Sequence, residues 1–357
     1  MLRYLEVKQQ LKKLIAETTP GEKLPDRLTL CKAFDTTRTT LDKAVRELTS
    51  EGMLISKKGS GTYAADYLNI RSAKSNNWCV IVPSILEPIY NMLVRGIEDF
   101  AQQRDINVIL CNSESLAAKQ EIYVRRMMNS GIDGIIMVPV IPSNPLETYQ
   151  LYNDLGASDI PLVFCNRAVE GLSVPIVTSN DFYGGYIATK HLIAHGYRRI
   201  AYISRQKYKT STDRCQGYMS ALIESGIGVD RQLIRVPGHD QRMLNCEQEV
   251  NRLLDKTNID AAFCFDDSVA LEVADAVKRH GRAISDEIGI IGYNNADTCA
   301  AYTPSLTSVT YRASEIGNKA AEVLYGNICG KKPSSEFEYY LFQPEVIIRE
   351  SCKGIRN

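Results

Sequence analysis

The 357-residue sequence has no run of 18 or more apolar residues, and its first 17 residues carry charges throughout. The first absence argues against a membrane-spanning helix. The second argues against a secretory signal peptide, which needs an uninterrupted apolar stretch. We therefore expect a cytoplasmic protein with no membrane partner.

Cysteine pairs and common catalytic motifs are also missing. The ten cysteines include no Cys-x-x-Cys pair, and they are spaced too widely for a zinc ribbon or a disulfide scaffold. The sequence lacks Gly-x-x-x-x-Gly-Lys, Gly-x-Ser-x-Gly and a Gly-x-Gly-x-x-Gly that follows a strand. His191 and His195 lie four residues apart on a predicted helix, but no glutamate stands beside them to favour a metal site. We predict no catalytic residue, no metal and no cofactor.

The net charge is zero, with 42 Lys+Arg against 42 Asp+Glu, but the two signs are unevenly distributed. Residues 1–74 contain 14 Lys+Arg and 9 Asp+Glu, and the remainder contains 28 and 33. A basic head therefore precedes an acidic body. The length predicts two or three domains.

The head has the pattern of three helices. Apolar residues recur at near-helical spacing over residues 5–15, and Pro20-Gly21 ends that stretch. Asp26 is a suitable N-cap for a short second helix, and Thr36 or Thr37 is a suitable cap for a third. Two short helices joined by a tight turn are typical of a helix-turn-helix.

Two segments of the head suit contact with DNA. Thr37-Arg38-Thr39-Thr40 offers hydroxyls for phosphates and an arginine for the O6 and N7 atoms of guanine. A predicted hairpin after the third helix has the basic, glycine-rich tip Lys57-Lys58-Gly59-Ser60-Gly61. Glycines let such a tip approach a phosphate or a minor groove closely, as a wing does.

Residues 1–64 resemble the winged-helix domain of the GntR family. The resemblance rests on Gly21-x-Lys23-Leu24-Pro25, the threonine-arginine turn, Glu51-Gly52 and Gly59-Ser60-Gly61-Thr62-Tyr63, in that order. In two departures from the family, Arg27 stands one position before the usual arginine, and Asp42 replaces a basic residue. The resemblance implies double-stranded operator DNA as a partner, contacted by Arg27, Thr37, Arg38, Thr39, Thr40, Lys57, Lys58, Gly59, Ser60 and Gly61.

Residues 65–77 are rich in Ser, Asn and Ala and show no sustained apolar period, which predicts a linker. From residue 78 onward, short β-branched runs alternate with amphipathic helical stretches. This alternation predicts buried parallel strands with crossover helices, arranged as one large barrel or as two doubly wound lobes.

Polar residues follow several of the predicted strands, as in Asn166-Arg167, Asp266-Asp267 and Asn294-Asn295. In an open α/β sheet, ligands bind at the carboxyl ends of the strands. The planar groups of Asn, Asp and Arg suit sugar hydroxyls, and Tyr90 is one of several tyrosines and phenylalanines that could supply aromatic faces. The set favours recognition over catalysis.

Residues 78 to about 350 resemble the effector-binding domain of the LacI/GalR family, which has the fold of periplasmic sugar-binding proteins. The matching stretches include GIDGIIMVP, ATKHLIAHGYRRIAYIS and ISDEIGIIGYNN. The resemblance implies an effector-binding domain over 78–357, with two lobes that close on a small ligand. Lobe 1 is expected at about 78–179 and 310–340, and lobe 2 at about 180–309 and 341–357. The effector-binding residues that it implies are Tyr90, Asn166, Arg214, Asp266 and Asn294.

Together, the two resemblances imply a ligand-responsive DNA-binding transcriptional regulator, a repressor that a sugar releases from its operator. This combination occurs in a subfamily typified by the bacterial arabinose repressor. The expected partners are a monosaccharide and a second copy of the chain, and a dimer would read an inverted repeat. The alternatives are a corepressed or activating regulator of the same architecture, a sugar-binding protein and an enzyme.

Overall fold

The computed structural model describes residues 2–19, 21–50, 53–57, 60–65, 75–142, 144–169, 171–205, 208–237, 245–329 and 338–354. The chain divides into two compact units, Met1–Ser75 and Asn76–Asn357. We refer to them as the head and the body.

The head contains three helices and a hairpin. The helices are α1 (Leu2–Glu17), α2 (Arg27–Ala33) and α3 (Arg38–Ser50), and the antiparallel strands are β1 (Leu54–Lys57) and β2 (Gly61–Ala64). The Asp26 carboxylate caps α2 by accepting a hydrogen bond from the Thr29 amide at 2.9 Å. Leu11, Leu30 and Leu41 are among the buried residues that join the helices in one core. The predicted winged helix-turn-helix is confirmed.

The first lobe of the body contains a six-stranded parallel sheet. Its strands lie in the order β13-β7-β6-β5-β3-β4. Their bounds are Asn77–Val82 (β3), Asn107–Asn112 (β4), Gly134–Met137 (β5), Leu162–Cys165 (β6), Ile176–Ser179 (β7) and Tyr339–Phe342 (β13).

The second lobe contains another six-stranded sheet, in the order β14-β12-β11-β10-β8-β9. Only β14 runs antiparallel to its neighbour. The bounds are Ile200–Ile203 (β8), Ile234–Arg235 (β9), Ala261–Cys264 (β10), Gly289–Asn294 (β11), Thr307–Thr310 (β12) and Val346–Ile347 (β14). Two separate sheets confirm the two-lobed α/β body and exclude the single barrel.

Helices accompany both sheets. The first lobe has α4 (Pro88–Gln102), α5 (Ala117–Met128), α6 (Tyr149–Gly156) and α12 (Ala313–Ile328). The second lobe has α7 (Asp181–Ala194), α8 (Lys209–Glu224), α9 (Cys246–Lys256), α10 (Asp267–Arg279) and α11 (Asp297–Ala301). Short 3₁₀ turns lie at Pro145–Glu147 and Arg231–Leu233. No helix in the described ranges is both long and apolar enough to cross a membrane.

The chain passes between the lobes three times. It leaves the first lobe after β7, returns between β12 and α12, and passes back to the second lobe between β13 and β14. In each lobe, the loops at the carboxyl ends of the parallel strands carry the polar residues singled out above.

Each lobe has a pair of helices in contact through glycines. In the first lobe, a Cβ atom added at Gly317 of α12 would lie 2.0 Å from the Leu93 carbonyl oxygen of α4. In the second, a Cβ at Gly185 of α7 would lie 2.1 Å from the Arg214 carbonyl oxygen of α8. Glycine is required at both positions because the neighbouring backbone occupies the space of a side chain.

We expect Gly317→Ala to lower the free energy of unfolding of the body by about 1–3 kcal/mol, because the two helices must separate to admit the methyl group. The matched control is Gly326→Ala in the same helix, where a Cβ meets no atom within 4 Å. This control should raise the free energy of unfolding by about 0.5–1 kcal/mol through helix propensity. Urea unfolding of both variants checks the prediction, and equal effects would contradict it.

Candidate functional site

The exposed surface of the head includes the start of α3. Arg38 is the first residue of that helix, and its side chain is 79% exposed. The Thr37 hydroxyl accepts a hydrogen bond from the Thr40 amide at 3.4 Å and lies 2.9 Å from the Thr40 hydroxyl. Thr37 and Thr39 are exposed and Thr40 is half-buried. An exposed guanidinium thus stands beside threonine hydroxyls at a helix N-terminus, where anions are stabilised.

Arg27 is engaged within the head. Its Nε donates to Asp42 Oδ1 at 2.8 Å, and its Nη2 donates to the Thr62 hydroxyl at 3.1 Å. Asp42 also lies 3.8 Å from the Arg38 guanidinium, measured from Oδ2 to Nε. Arg27 therefore links α2 to α3 and to the hairpin. The sequence signal for this pairing was Asp42, an acidic residue in a basic segment.

The hairpin presents a basic side chain beside an aromatic ring. Lys57 is exposed, and its ammonium nitrogen lies 4.9 Å from the centroid of the Tyr63 ring. The Ser60 hydroxyl lies 2.5 Å from the Tyr63 hydroxyl. Gly61 has a φ of +128°, a conformation that favours glycine. The predicted contacts Lys58 and Gly59 lie outside the described residues.

In the body, the end of β6 leads to a buried arginine. Arg167 Nη2 donates to the Tyr90 hydroxyl at 3.1 Å, and Nη1 donates to the Pro139 carbonyl at 3.4 Å. The guanidinium of this lobe-1 residue lies 3.9 Å from the ring centroid of Tyr208, at the start of α8 in lobe 2. Arg167 thus contacts both lobes, and its Nε finds no hydrogen-bond partner among the described residues.

On the lobe-2 side, Arg214 is enclosed by protein groups. Its Nε and Nη2 both lie 2.7 Å from Asp181 Oδ1, and Nη1 donates to the Phe265 carbonyl at 2.5 Å. The face of its guanidinium lies 3.5 Å from the centroid of the Tyr293 ring. Arg214 is 2% exposed and Asp181 is 5% exposed, so this ion pair is buried.

Two asparagines stand at the carboxyl ends of strands, one in each of the two sheets. Asn166 follows β6 with φ +64°, and Asn294 ends β11 with φ +99°. Both are only partly exposed, and within the described ranges neither carboxamide oxygen has a hydrogen-bond donor. Asp266, after the neighbouring β10, caps α10 by accepting a hydrogen bond from the Val269 amide at 2.9 Å.

Acidic side chains surround the two arginines. Burial raises the pKa of Glu87, a lobe-1 residue just before α4; the Arg167 charge opposes the rise, and the lobe-2 carboxylate of Asp266 adds to it. Burial also raises the pKa of Asp267 to about 6, against hydrogen bonds from the Ala296 amide and the Ser308 hydroxyl. The charge of Asp266 in lobe 2 therefore acts on Glu87 in lobe 1.

The structure places the five predicted effector residues at the ends of strands or at the start of α4 and within α8, on the face where the lobes meet. Burial raises the pKa of Tyr90, opposed by the charges of Arg167 and Arg214, so these three side chains share one region. Sequence analysis noted Arg167 as a polar residue at a strand end without assigning it to the effector site, and it missed three further residues of this region. Their signal was a position just before a helix or at its first residue: Glu87, Asp181 and Tyr208.

The histidine pair predicted not to hold a metal is partly buried. The ring centroids of His191 and His195 lie 4.2 Å apart, and His191 Nε2 lies 3.3 Å from Cys352 Sγ. Burial, reinforced by His195, lowers the pKa of His191 to about 4. In the part of the chain that the structure describes, no three His, Cys, Asp or Glu side chains converge as metal ligands would.

Two family models match the chain. A model described as periplasmic binding proteins and sugar binding domain of LacI family matches residues 75–340, and one described as bacterial regulatory proteins, gntR family, matches residues 3–64. Together they cover both units of the chain.

Several known proteins are similar to it. The arabinose metabolism transcriptional repressor of Halalkalibacterium halodurans is 26% identical over 366 residues, which span 99% of this chain and 98% of that protein. The transcriptional repressor PurR of Photobacterium profundum is 28% identical over 80% of this chain and 84% of its own length. A solved complex of the transcriptional regulator CelR with cellobiose has a TM-score of 0.68 at 23% identity, covering 88% of this chain and 90% of that one.

Proposed function

Because this chain belongs to the family of periplasmic binding proteins and LacI-type sugar-binding domains, and carries a GntR-type head, we propose that it is a repressor that a monosaccharide releases from its operator. Its relatives are named as transcriptional repressors, and the chain is accordingly a DNA-binding regulator with a sugar-binding domain, not an enzyme. Since its operator lies on bacterial DNA, we place its action in the cytoplasm.

The observation that carries the ligand proposal is the set of buried polar atoms without partners at the strand ends. Within the described part of the chain, the carboxamide oxygens of Asn166 and Asn294 and the Nε–H group of Arg167 have no hydrogen-bond partner. Buried polar groups are normally hydrogen-bonded, so these atoms call for a ligand with both donors and acceptors. Adjacent sugar hydroxyls supply both. The cellobiose in the CelR complex, a relative in fold, is consistent with this chemistry.

We propose that the ligand lies between Tyr90 and Asn166 of lobe 1 and Arg214, Asp266 and Asn294 of lobe 2. A ligand that contacts both lobes favours the closed body. If the closed body favours DNA binding by the head less than the open body does, the ligand weakens operator affinity. Linkage then requires that the operator weaken ligand affinity by the same factor. Operator affinity measured with and without the sugar tests this sign.

The DNA proposal rests on the exposed start of α3 and on the hairpin. Arg38 is free to reach a guanine, and the threonines beside it suit phosphates. Lys57 and Lys58 of the hairpin would add phosphate contacts without base preference. Arg27 would contribute chiefly by holding Asp42 and the hairpin strand in place, since its guanidinium already has two partners.

The test combines a sugar screen with a DNA-binding assay. L-Arabinose is the first sugar to try, because a relative spanning the whole chain is named for arabinose metabolism. Thermal shift detects binding, since a ligand of the folded state raises stability by RT ln(1 + [L]/Kd). Fluorescence anisotropy of a labelled operator then gives the sign. Tighter operator binding with sugar would overturn release, and failure of every pentose and hexose to bind would overturn the ligand class.

We further propose that the chain acts as a homodimer, which would use the exposed edge of the lobe-1 sheet. At this edge β4 exposes Ile109 and Leu110, and the segments after β3 and β4 expose Leu86 and Leu116. A hydrogen bond from the Ser115 amide to the Pro83 carbonyl, at 2.8 Å, brings those two segments together. A contiguous apolar patch at a sheet edge suits a two-fold contact with a second copy.

We expect Leu110→Asp to convert the dimer to a monomer at micromolar concentration and to lower operator affinity, since one winged helix reads too few base pairs. The matched control is Ile348→Asp, which charges an exposed isoleucine of lobe 2 and should leave the dimer intact. Analytical ultracentrifugation measures both. A wild-type monomer at concentrations that saturate the operator would contradict the dimer, and an unaffected Leu110→Asp dimer would contradict the surface.

A further inference from the structure

The Arg214 guanidinium has no charge left for a ligand. Asp181 Oδ1 lies 2.7 Å from both Nε and Nη2, and the third nitrogen, Nη1, donates to a backbone carbonyl. Burial raises the pKa of the Asp181 carboxyl, and the charge and the two short hydrogen bonds of Arg214 oppose that rise. The pair is therefore neutral overall, and it is buried among Phe265 and Tyr293.

The remaining charges of this region also fail to favour an anion. Arg167 is the other buried cation, and its nearest charged neighbours include Glu87. The Asp266 carboxylate lies close enough to Glu87 to raise the pKa of Glu87 further. Asp267, the next residue in the chain, adds another carboxyl group. Glu87 therefore opposes the charge of Arg167 as Asp181 opposes that of Arg214.

We propose that Asp181 determines the charge class of the ligand: by cancelling the Arg214 charge, it makes the region between the lobes accept neutral sugars and reject sugar acids and sugar phosphates. The inference rests on the proposed sugar site and adds to it the residue that sets selectivity. Asp181 is a positioning residue, because it acts through Arg214 and is itself shielded from the ligand.

The physical reason is the short range over which a buried charge acts. A carboxylate bound to Arg214 would approach Asp181 to within about 6–8 Å, where the repulsion between like charges offsets much of the attraction of the guanidinium and lowers affinity by about tenfold or more relative to an unpaired arginine. A neutral hydroxyl at the same place is not repelled by the Asp181 charge. With Asp181 replaced by asparagine, the same arginine would present an uncompensated positive charge to the ligand.

The test compares affinities for matched neutral and acidic sugars by calorimetry on the full chain. The probes are L-arabinose with L-arabinonate and D-galactose with D-galacturonate, extended to the other pentoses and hexoses. For the wild-type chain we expect each neutral sugar that binds to do so about tenfold or more tightly than its acid. In Asp181→Asn this ratio should fall by about tenfold or more.

The control variant is Tyr293→Phe, which removes a hydroxyl beside the same pair and leaves every charge in place. It should change the affinities for a sugar and its acid by the same factor, as a merely structural effect would. A wild-type chain that binds an acid as tightly as its neutral sugar overturns the inference but leaves the sugar site standing, whether or not the variants fold. An unchanged ratio in Asp181→Asn overturns it too. Failure of every neutral and acidic sugar to bind overturns the proposed function as well.

Discussion

Arg38→Ala is expected to cost about 1–3 kcal/mol of operator-binding free energy and to remove the preference at one base position. The side chain is the more exposed of the two arginines that meet at Asp42, and its one ion pair with a described residue is a loose one of 3.8 Å. Its guanidinium is therefore available to make two hydrogen bonds to a guanine in the major groove. Anisotropy titrations with the operator and with single-base variants measure the loss.

Two matched variants separate base reading from charge. Arg38→Lys keeps the positive charge but loses the planar fork, so it should bind non-specific DNA like the wild type and still lose discrimination. Lys57→Ala should weaken binding to all sequences alike and reduce the salt dependence by about one phosphate contact. Unchanged operator affinity in Arg38→Ala would remove this residue from the proposed reading surface.

The second large effect is expected at Arg214, where loss of the guanidinium should abolish the ligand response. The single variant Arg214→Ala is a poor test, because it leaves Asp181 as an unpaired charge that is only 5% exposed. Such a change lowers the free energy of unfolding by about 3–5 kcal/mol. Replacing both partners, as in Asp181→Asn with Arg214→Gln, leaves no lone charge and keeps groups capable of hydrogen bonding.

We expect this double variant to bind the operator with wild-type affinity, because the proposed reading surface lies in the head. The sugar identified by the screen should no longer release the operator, and its affinity in calorimetry should fall by about a hundredfold or more, the loss of two charge-assisted hydrogen bonds. Circular dichroism and ultracentrifugation confirm a folded dimer first. Wild-type sugar affinity would contradict the role of Arg214, and loss of operator binding would contradict the separation of the two functions.

Local patterns predicted much of the architecture. Asp26 caps α2 as its sequence position indicates, because a capping hydrogen bond spans only three residues. Helix α4 begins at Pro88, since proline fits the first turn of a helix. Strand ends were visible as well: Asn166, Asp266 and Asn294 each follow or end an apolar run that forms a buried strand.

The contacts between these positions depended on packing. Arg214 pairs with Asp181, 33 residues away, and Arg167 bonds to Tyr90 across 77 residues. In the head, Arg27 reaches Asp42 and Thr62 and so turns from a predicted DNA contact into a residue with internal partners. No pattern of 2 or 3.6 residues records such pairings, because they arise only when separate strands and helices are brought side by side.

Resemblance to the GntR and LacI/GalR families supplied the winged helix and chose two lobes over a barrel. The sequence pattern by itself determined the helix-turn-helix head, the α/β class of the body and the chemical types of side chain at the strand ends. These follow from hydrophobic periodicity, capping and turn chemistry, which act over a few residues. Only the tertiary structure decided which of those side chains are already satisfied and which are free. Arg214 is neutralised by Asp181, whereas Asn166, Asn294 and Arg167 keep unpartnered atoms. The reason is that a buried polar atom is hydrogen-bonded only if folding places a suitable donor or acceptor within about 3 Å of it.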